Sequence, residues 1–362
     1  MENLIISISA FLILISIMVF IHEWGHFYVA RLCGVKVDVF AIGFGKTLWS
    51  RTDRKGTEWK VNILPFGGYV KMFGDAGPAS NADLSKVKAM TEDEKKISFF
   101  HKSLLQKALI VFAGPLMNYI LAFVVMAIIL MTYGDKSFSN KIAGMEQDGP
   151  AAVAGIMIGD VIESVNDQKV ANMLEVKEMI SNSRENKRIS LTILRGNSQI
   201  EIAVMPKKIP LPSGEFTYRI GVVPAEEIIH YSLVDSFLNA GTRVFILNNV
   251  MIDGLVKLLS GNGSMEDVGG PIKIAQISGE AAKHGIQSIL ILTVILSLNL
   301  GLMNLLPIPG LDGGHLFYYA INAITGKPIP YKVQEMGIRI GFILLISLLV
   351  FVTYNDILGL FK

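Results

Sequence analysis

Residues 4–30 read LIISISAFLILISIMVFIHEWGHFYVA, apolar throughout except for one interruption, HEWGH at 22–26. The stretch is longer than the ~20 residues that carry a helix across ~30 Å of hydrocarbon. It is not expected to be a secretory signal: it has no basic leader or small-residue cleavage site, and it runs too long. On a helix, residues four apart share a face. Two imidazoles so placed, His22 and His26, can hold one Zn²⁺ with Glu23 as general base. Ionisable side chains inside a span are costly and mark function by default. Two histidines merely satisfied by hydrogen bonds in a bundle would leave Glu23 unexplained.

Working outward, three further stretches are apolar enough to span: 108–131, 286–306 and 336–354. The composition agrees with a bilayer. Only 18% of the 362 residues are charged, against roughly 25% in an ordinary soluble domain. Mean hydropathy is +0.47. The net charge of +2, with no long run of one sign, excludes a nucleic-acid footprint. The single cysteine, Cys33, allows neither an internal disulfide nor a cysteine cluster. A metal site must therefore draw on His, Asp or Glu. Cys33 itself is read as inert.

Lys and Arg set an expected orientation. The segment before the first span has none, whereas the loop at 31–107 carries Arg31, Lys36, Lys46, Arg51, Arg54, Lys55 and more up to Lys107. The loop before the fourth span has Lys327 and Lys332. The positive-inside rule puts both loops in the cytoplasm and both termini outside, with the segment at 134–285. Lys362 is a mild dissent. His22 precedes Arg31 by ~13 Å of helix, so the motif falls in the cytoplasmic half.

The outside segment has an α/β pattern. A short strand is expected at 142–145. Residues 149–167 should give a turn, a short helix, a Gly-Asp turn and a strand, and 172–183 a helix. Residues 188–196 and 198–206 alternate with period two around Gly196-Asn197, which signals a hairpin. This run resembles a PDZ domain, which takes a chain end as an added strand. Residues 231–260 are amphipathic and are expected as one or two helices at the outer interface; a second soluble subdomain is the alternative. On the other side, VKVDVFAIGFGKTLWS at 35–50 and EWKVNILPFGGYVKMFG at 58–74 read as strands with glycine turns, a β element at the membrane edge. The stretch 75–96 is polar and expected to be mobile.

The third ligand is not where soluble HExxH enzymes carry it. One form needs Gly and His where this chain has Val29 and Leu32, and the other takes a downstream Glu that Phe44–Trp49 lacks. Residues 304–315 read NLLPIPGLDGGH, with Pro307, Pro309, Gly310, Gly313 and Gly314 forbidding a regular helix. Broken backbone at membrane depth implies a cavity. Under the topology above, Asp312 arrives at the same depth as HEWGH. It is a candidate third ligand, leaving an open position as catalytic zinc requires; an ordinary turn with Asp312 as a helix cap is the alternative.

Together HEWGH, the β loop with GFG, AGPLMN at 113–118, the PDZ-like insert and NLLPIPGLDGG resemble the site-2 protease family, peptidase M50, in its bacterial RseP-type branch. The resemblance covers nearly the whole chain in order. It implies an intramembrane zinc metalloendopeptidase of the bacterial inner membrane, with one Zn²⁺ per chain on His22, His26 and Asp312. Glu23 is then catalytic, and Asn304, Pro307 and Pro309 hold substrate. The implied partners are single-span membrane proteins such as trimmed anti-sigma factors and signal-peptide remnants, membrane lipid, and a peptide or chain end at the PDZ groove. The β loop would pair with the unwound substrate. The best-known RseP proteins have two PDZ domains, and this chain has room for one.

The expected fold is a multi-pass α-helical membrane protein with four transmembrane helices, a membrane-associated β loop and an inserted extracytoplasmic PDZ-like α/β domain. Its parts are 1–33, 34–103 (β loop and polar linker), 104–133, 134–225 (PDZ), 226–285 (interfacial helices), 286–335 and 336–362. A zinc transporter or a non-enzymatic PDZ scaffold are the rival readings. Asn118 either bonds across to the site or satisfies the backbone near Pro115. His315, after Gly314, either approaches the metal or is a polar loop residue, and the second reading is preferred; His101, His230 and His284 are read as surface.

Overall fold

The computed structural model describes residues 2–75, 87, 89–183, 187–210, 216–261 and 269–359. Contacts divide the chain into two units, Met1–Ile129 with Leu233–Lys362, and Leu130–Ser232.

Among the described residues, four helices are long and apolar enough to cross a membrane: α1 (Glu2–Leu32), α3 (Leu104–Thr132), α8 (Ile286–Leu305) and α10 (Tyr331–Gly359). They fall on the four expected stretches and extend past three of them. Glycine and alanine let them approach closely, as at Gly25, whose missing Cβ leaves room for the backbone of Ala113. A short helix α2 (Glu92–Ile97) precedes α3, closed by a capping box between Thr91 and Glu94. It corrects the expectation for the end of the polar stretch. Residues 76–86 and 88 of that stretch lie outside the described residues.

The β loop forms strands β1 (Val37–Thr52) and β2 (Glu58–Met72). They are too long to stay flat, and β2 bends so that the start of β1 has a neighbour on each side: Phe40 lies opposite Val70 and also opposite Trp59. Asp53 closes the turn by accepting from the amides of Lys55 and Thr57. Arg31, at the end of α1, donates to Asp53 at 2.9 Å and to Thr57 at 2.8 Å. The indole of Trp59 adds a further donor to Asp53 at 3.2 Å. Burial works to raise the Asp53 pKa, but the Thr57 amide, Trp59, Arg31 and the Lys55 amide hold it down at about 2. Phe40 and Trp59 form a tilted and edge-to-face aromatic cluster with Trp24 and Phe27 of α1, ring centroids 4.6–6.2 Å apart. The aromatic residue inside HEWGH thus docks the sheet onto the turn of helix that carries the histidines.

The amphipathic stretch forms one helix, α6 (Leu233–Leu259), whose Val244, Leu247 and Met251 pack on Ala122, Val125 and Val294 of α3 and α8. A further helix, α7 (Pro271–Lys283), lies against α1, where Gly279 meets Ser7. Gly270 precedes α7 without a side chain to cap it. Asp356 of α10 supplies the cap, accepting from the amides of Gly270, Ile272 and Lys273 at 2.9–3.0 Å. After α8 comes α9 (Asp312–Thr325).

The second unit holds a six-stranded sheet. Its order is β10 (Val222–Ile229), β3 (Asp135–Met145), β4 (Val161–Val165), β6 (Ile189–Arg195) and β7 (Ser198–Val204), with β5 (Gln168–Lys169) beside β4. Helices α4 (Pro150–Val153) and α5 (Met173–Ser181) and the pair β8 (Lys207–Pro210) and β9 (Phe216–Arg219) complete it. The β6–β7 hairpin closes on Arg195 opposite Ser198, around the expected turn. Ile142, Ile162, Val176, Leu191 and Ile193 form its core, all fully buried. Asp160, the acid of the Gly-Asp turn, accepts a two-pronged pair from Arg195 at 2.9 Å. Residues 184–186 and 211–215 lie outside the described residues.

Candidate metal centre

Helix α1 buries His22, Glu23 and His26, each no more than 9% exposed. The two Nε2 atoms face each other at 3.3 Å. Asp312 Oδ2 completes a triangle, 3.2 Å from His22 Nε2 and 3.5 Å from His26 Nε2. The local sequence explains how a residue 290 positions away gets there. Pro307 and Pro309 deny the backbone amides that would continue α8. Gly310 then turns the chain with φ +97°. Gly313 and Gly314 bring the first turn of α9 against the carbonyls of Leu305, Leu306 and Ile308, where a Cβ would not fit. Asp312, the first residue of α9, projects from that tucked start instead of capping it.

The donor set fits zinc. Ligand atoms about 2.0–2.1 Å from a tetrahedral ion lie roughly 3.3–3.4 Å from one another. The three separations here bracket that value. Two imidazoles and a carboxylate also form the usual three-ligand set of a catalytic site, with one position to spare.

The supports come from α3. His26 Nδ1 donates to the carbonyl of Ile110 at 2.9 Å, which leaves Nε2 as a lone pair. The amide of Asn118, fully buried, lies 3.0 Å from His22 Nδ1. Of the two roles open to Asn118, the side chain takes the one toward the site. Gly114 sits behind the His26 ring, where any Cβ would collide with it.

The triangle opens into a cavity of about 770 Å³, lined also by Glu23, Gly67–Val70, Lys107, Asn304, His315 and Tyr319. Gly68 of β2 lies directly on Glu23: a Cβ there would be 2.8 Å from Glu23 Cγ. Asn304 faces the cavity, with its amide donating to Leu300 at 3.0 Å. Pro307 is exposed, and the Pro309 carbonyl packs where a Cβ on Gly341 of α10 would stand. The structure thus places both prolines in the turn, outside the cavity lining. His315 corrects the loop reading: it lies in the first turn of α9 and lines the cavity beside Asp312. His101, His230 and His284 are exposed, as expected. Gly68, Gly114 and the Ile110 carbonyl were not singled out from sequence. The signal available was a Gly-Gly pair in a strand and a Gly-Pro pair inside a span, both marks of close backbone approach.

Comparison with known proteins gives the family. The model of peptidase family M50 matches residues 10–348. A protein of Rhizobium meliloti named as a zinc metalloprotease is 35% identical over 370 aligned positions, covering 100% of this chain and 99% of its own. Protease RseP of Yersinia pestis is 29% identical over 467 positions, covering 98% of this chain and 99% of its own. The longer alignment shows that the Yersinia protein has residues inserted relative to this chain. The PDZ domain of an SdrC-like protein from Listeria innocua matches 26% of the chain and 99% of its own, at 19% identity and a TM-score of 0.22. The chain belongs to peptidase family M50, the site-2 protease family of zinc-dependent metalloproteases.

Proposed function

We propose that the chain cuts peptide bonds of membrane-spanning segments, holding zinc with His22, His26 and Asp312 and moving protons with Glu23. The observation that carries this is the ligand triangle opening, beside Glu23, into a cavity walled by the edge of a β-sheet. A zinc ion held there supplies Lewis acidity, polarising a carbonyl and acidifying water. Glu23 takes the proton of the attacking water and passes it to the leaving amine. Gly68 fixes the Glu23 side chain by packing on it.

A substrate helix hides its peptide bonds in its own hydrogen bonds and must unwind before attack. The stretch Gly68–Met72 pairs with Val37–Ile42, and Gly68, Tyr69, Val70 and Met72 line the cavity. It is the segment of the β loop best placed to receive an extended substrate strand. Asn304 lies where it can hold that strand from the opposite wall. Exposed Leu48, Trp49, Ile63 and Leu64, which do not line the cavity, suit contact with lipid.

The apolar helices and the RseP relative fit a protein of the bacterial inner membrane. The Lys and Arg distribution supports an insert at 134–285 facing outside and an active site nearer the cytoplasm. Substrates of the class are single-span membrane proteins, trimmed anti-sigma factors and signal-peptide remnants, screened by a PDZ-like unit at 134–225. The test is Glu23→Gln in cells and in purified form. It is expected to retain zinc, to lose cleavage by about 10²–10⁴-fold, and to let uncut membrane peptides accumulate. Cleavage at the wild-type rate would overturn the assignment.

A further inference from the structure

We propose that Asn118 is a positioning residue for the metal centre: its amide oxygen accepts from His22 Nδ1–H and so sets the tautomer in which His22 Nε2 is free to bind. The proposal rests on the reading of His22 as a zinc ligand. A neutral imidazole has one N–H and one lone pair. A ring that gives the Nε2 lone pair to a cation carries its proton on Nδ1 and needs an acceptor there. His26 has one that can act in no other way, the Ile110 carbonyl at 2.9 Å.

His22 has the Asn118 amide, whose Nδ2 lies 3.0 Å from Nδ1. The amide oxygen, Oδ1, is buried with no hydrogen-bond partner among the described residues. That is a costly arrangement for a side chain that is fully buried. Oxygen and NH₂ are near enough in size that a half-turn about Cβ–Cγ exchanges them in the same space. The turn gives Oδ1 a donor and leaves His22 Nε2 bare. With NH₂ toward the ring, Nδ1 must accept and Nε2 keeps its proton, which His26 Nε2 at 3.3 Å accepts. One orientation thus closes the triangle with a proton, and the other opens it to a metal. The backbone around the amide is pinned, so the side chain alone is left to turn. Ser297 of α8 donates to the Asn118 carbonyl at 2.8 Å, and Gly301 lies so close to the Tyr119 ring that a Cβ there would stand 2.9 Å from it.

The test measures zinc affinity of the purified full-length protein by competition with a chromogenic chelator. Asn118→Leu removes the acceptor and is expected to weaken zinc by about 10–100-fold. Asn118→Asp keeps an acceptor that cannot donate, and is expected to bind zinc within about threefold of wild type. Wild-type affinity in Asn118→Leu would overturn the proposal. So would an Asn118→Asp affinity as weak as that of Asn118→Leu, which would mean that the amide donates. If Asn118→Leu does not fold, the ¹⁵N spectrum of zinc-loaded wild type decides: a proton on His22 Nδ1 supports the proposal, and its absence overturns it. His22→Ala separates the two readings, because undiminished zinc binding there would remove His22 from the ligand set and leave the Asn118 result without bearing on it.

Discussion

Helix α1 brings His22, Glu23 and His26 to the cavity, while α3, packed against it, brings a carbonyl, an amide and the bare face of Gly114. The first helix contributes atoms that could bind or react. The second contributes what decides whether those atoms are available: which ring nitrogen carries the proton, and how far each ring can move. The lesson is that a metal site has two inventories, one of lone pairs and one of constraints. The first is written in polar letters inside an apolar span. The second is written mostly in small residues and backbone groups.

The two inventories predict different failures. The largest effect falls on the ligands. Asp312→Ala should leave no zinc in the purified protein by elemental analysis and no detectable cleavage, with the helices retained. Zinc at one per chain in that variant would move the third ligand elsewhere and break the comparison at its root.

A constraint should fail more gently. Gly114→Ala places a Cβ inside the His26 ring, so the ring or α3 must shift. Overpacking of this kind costs about 1–3 kcal/mol, and a displaced ligand is expected to weaken zinc by about 10–100-fold. Thermal unfolding and chelator competition should both report it. A change in stability without a change in zinc affinity would reduce α3 to a packing surface.

The sheet offers a third kind of position. In Gly68→Ala the atoms nearest the new Cβ are Glu23 Cγ and the Ala41 carbonyl oxygen, each at 2.8 Å, and Val19 at 3.0 Å. Zinc affinity should stay as in wild type while kcat falls by roughly 10²-fold, the scale of a misplaced catalytic group. Loss of zinc in this variant would show that Glu23 and the ligands cannot be disturbed separately.

These positions also mark where the sequence could be read. HEWGH declared itself because charge inside a span has no cheap structural explanation. Asp312 followed from the run of prolines and glycines that must break a helix. The β6–β7 hairpin and the four long helices were legible from period and length. The supports were not. In α3 nearly every residue of 108–131 is apolar, so no periodicity tells which face meets α1. Asn118 stood out as polar, yet its direction depends on a contact with His22, 96 positions earlier. His315 was misread for a related reason: α9 begins at Asp312 itself, because the two glycines tuck the helix start under α8, and that tuck is a tertiary contact. Docking of the sheet through Trp24 and Trp59 was hidden likewise, because aromatic residues in a span and in a strand look like packing wherever they go.

The smallest expected effect tests whether the support of α1 is local to α3 or spread along the helix. Toward its start, α1 leans on α7, with Gly279 against Ser7 and Ala281 in one cluster with Leu14 and Met18. The start of α7 is held by Asp356, which accepts from three amides that no residue of α7 itself can satisfy. In Asp356→Ala those amides lose their acceptor, at a cost of about 0.5–2 kcal/mol for a lost cap. The unfolding temperature in detergent should drop modestly. Zinc affinity and kcat should not move, because the triangle and its partners on α3 keep every contact described above. A fall in zinc affinity in Asp356→Ala would mean that the far half of α1 sets the position of His22 and His26, and that the division between ligands and constraints runs the length of the helix.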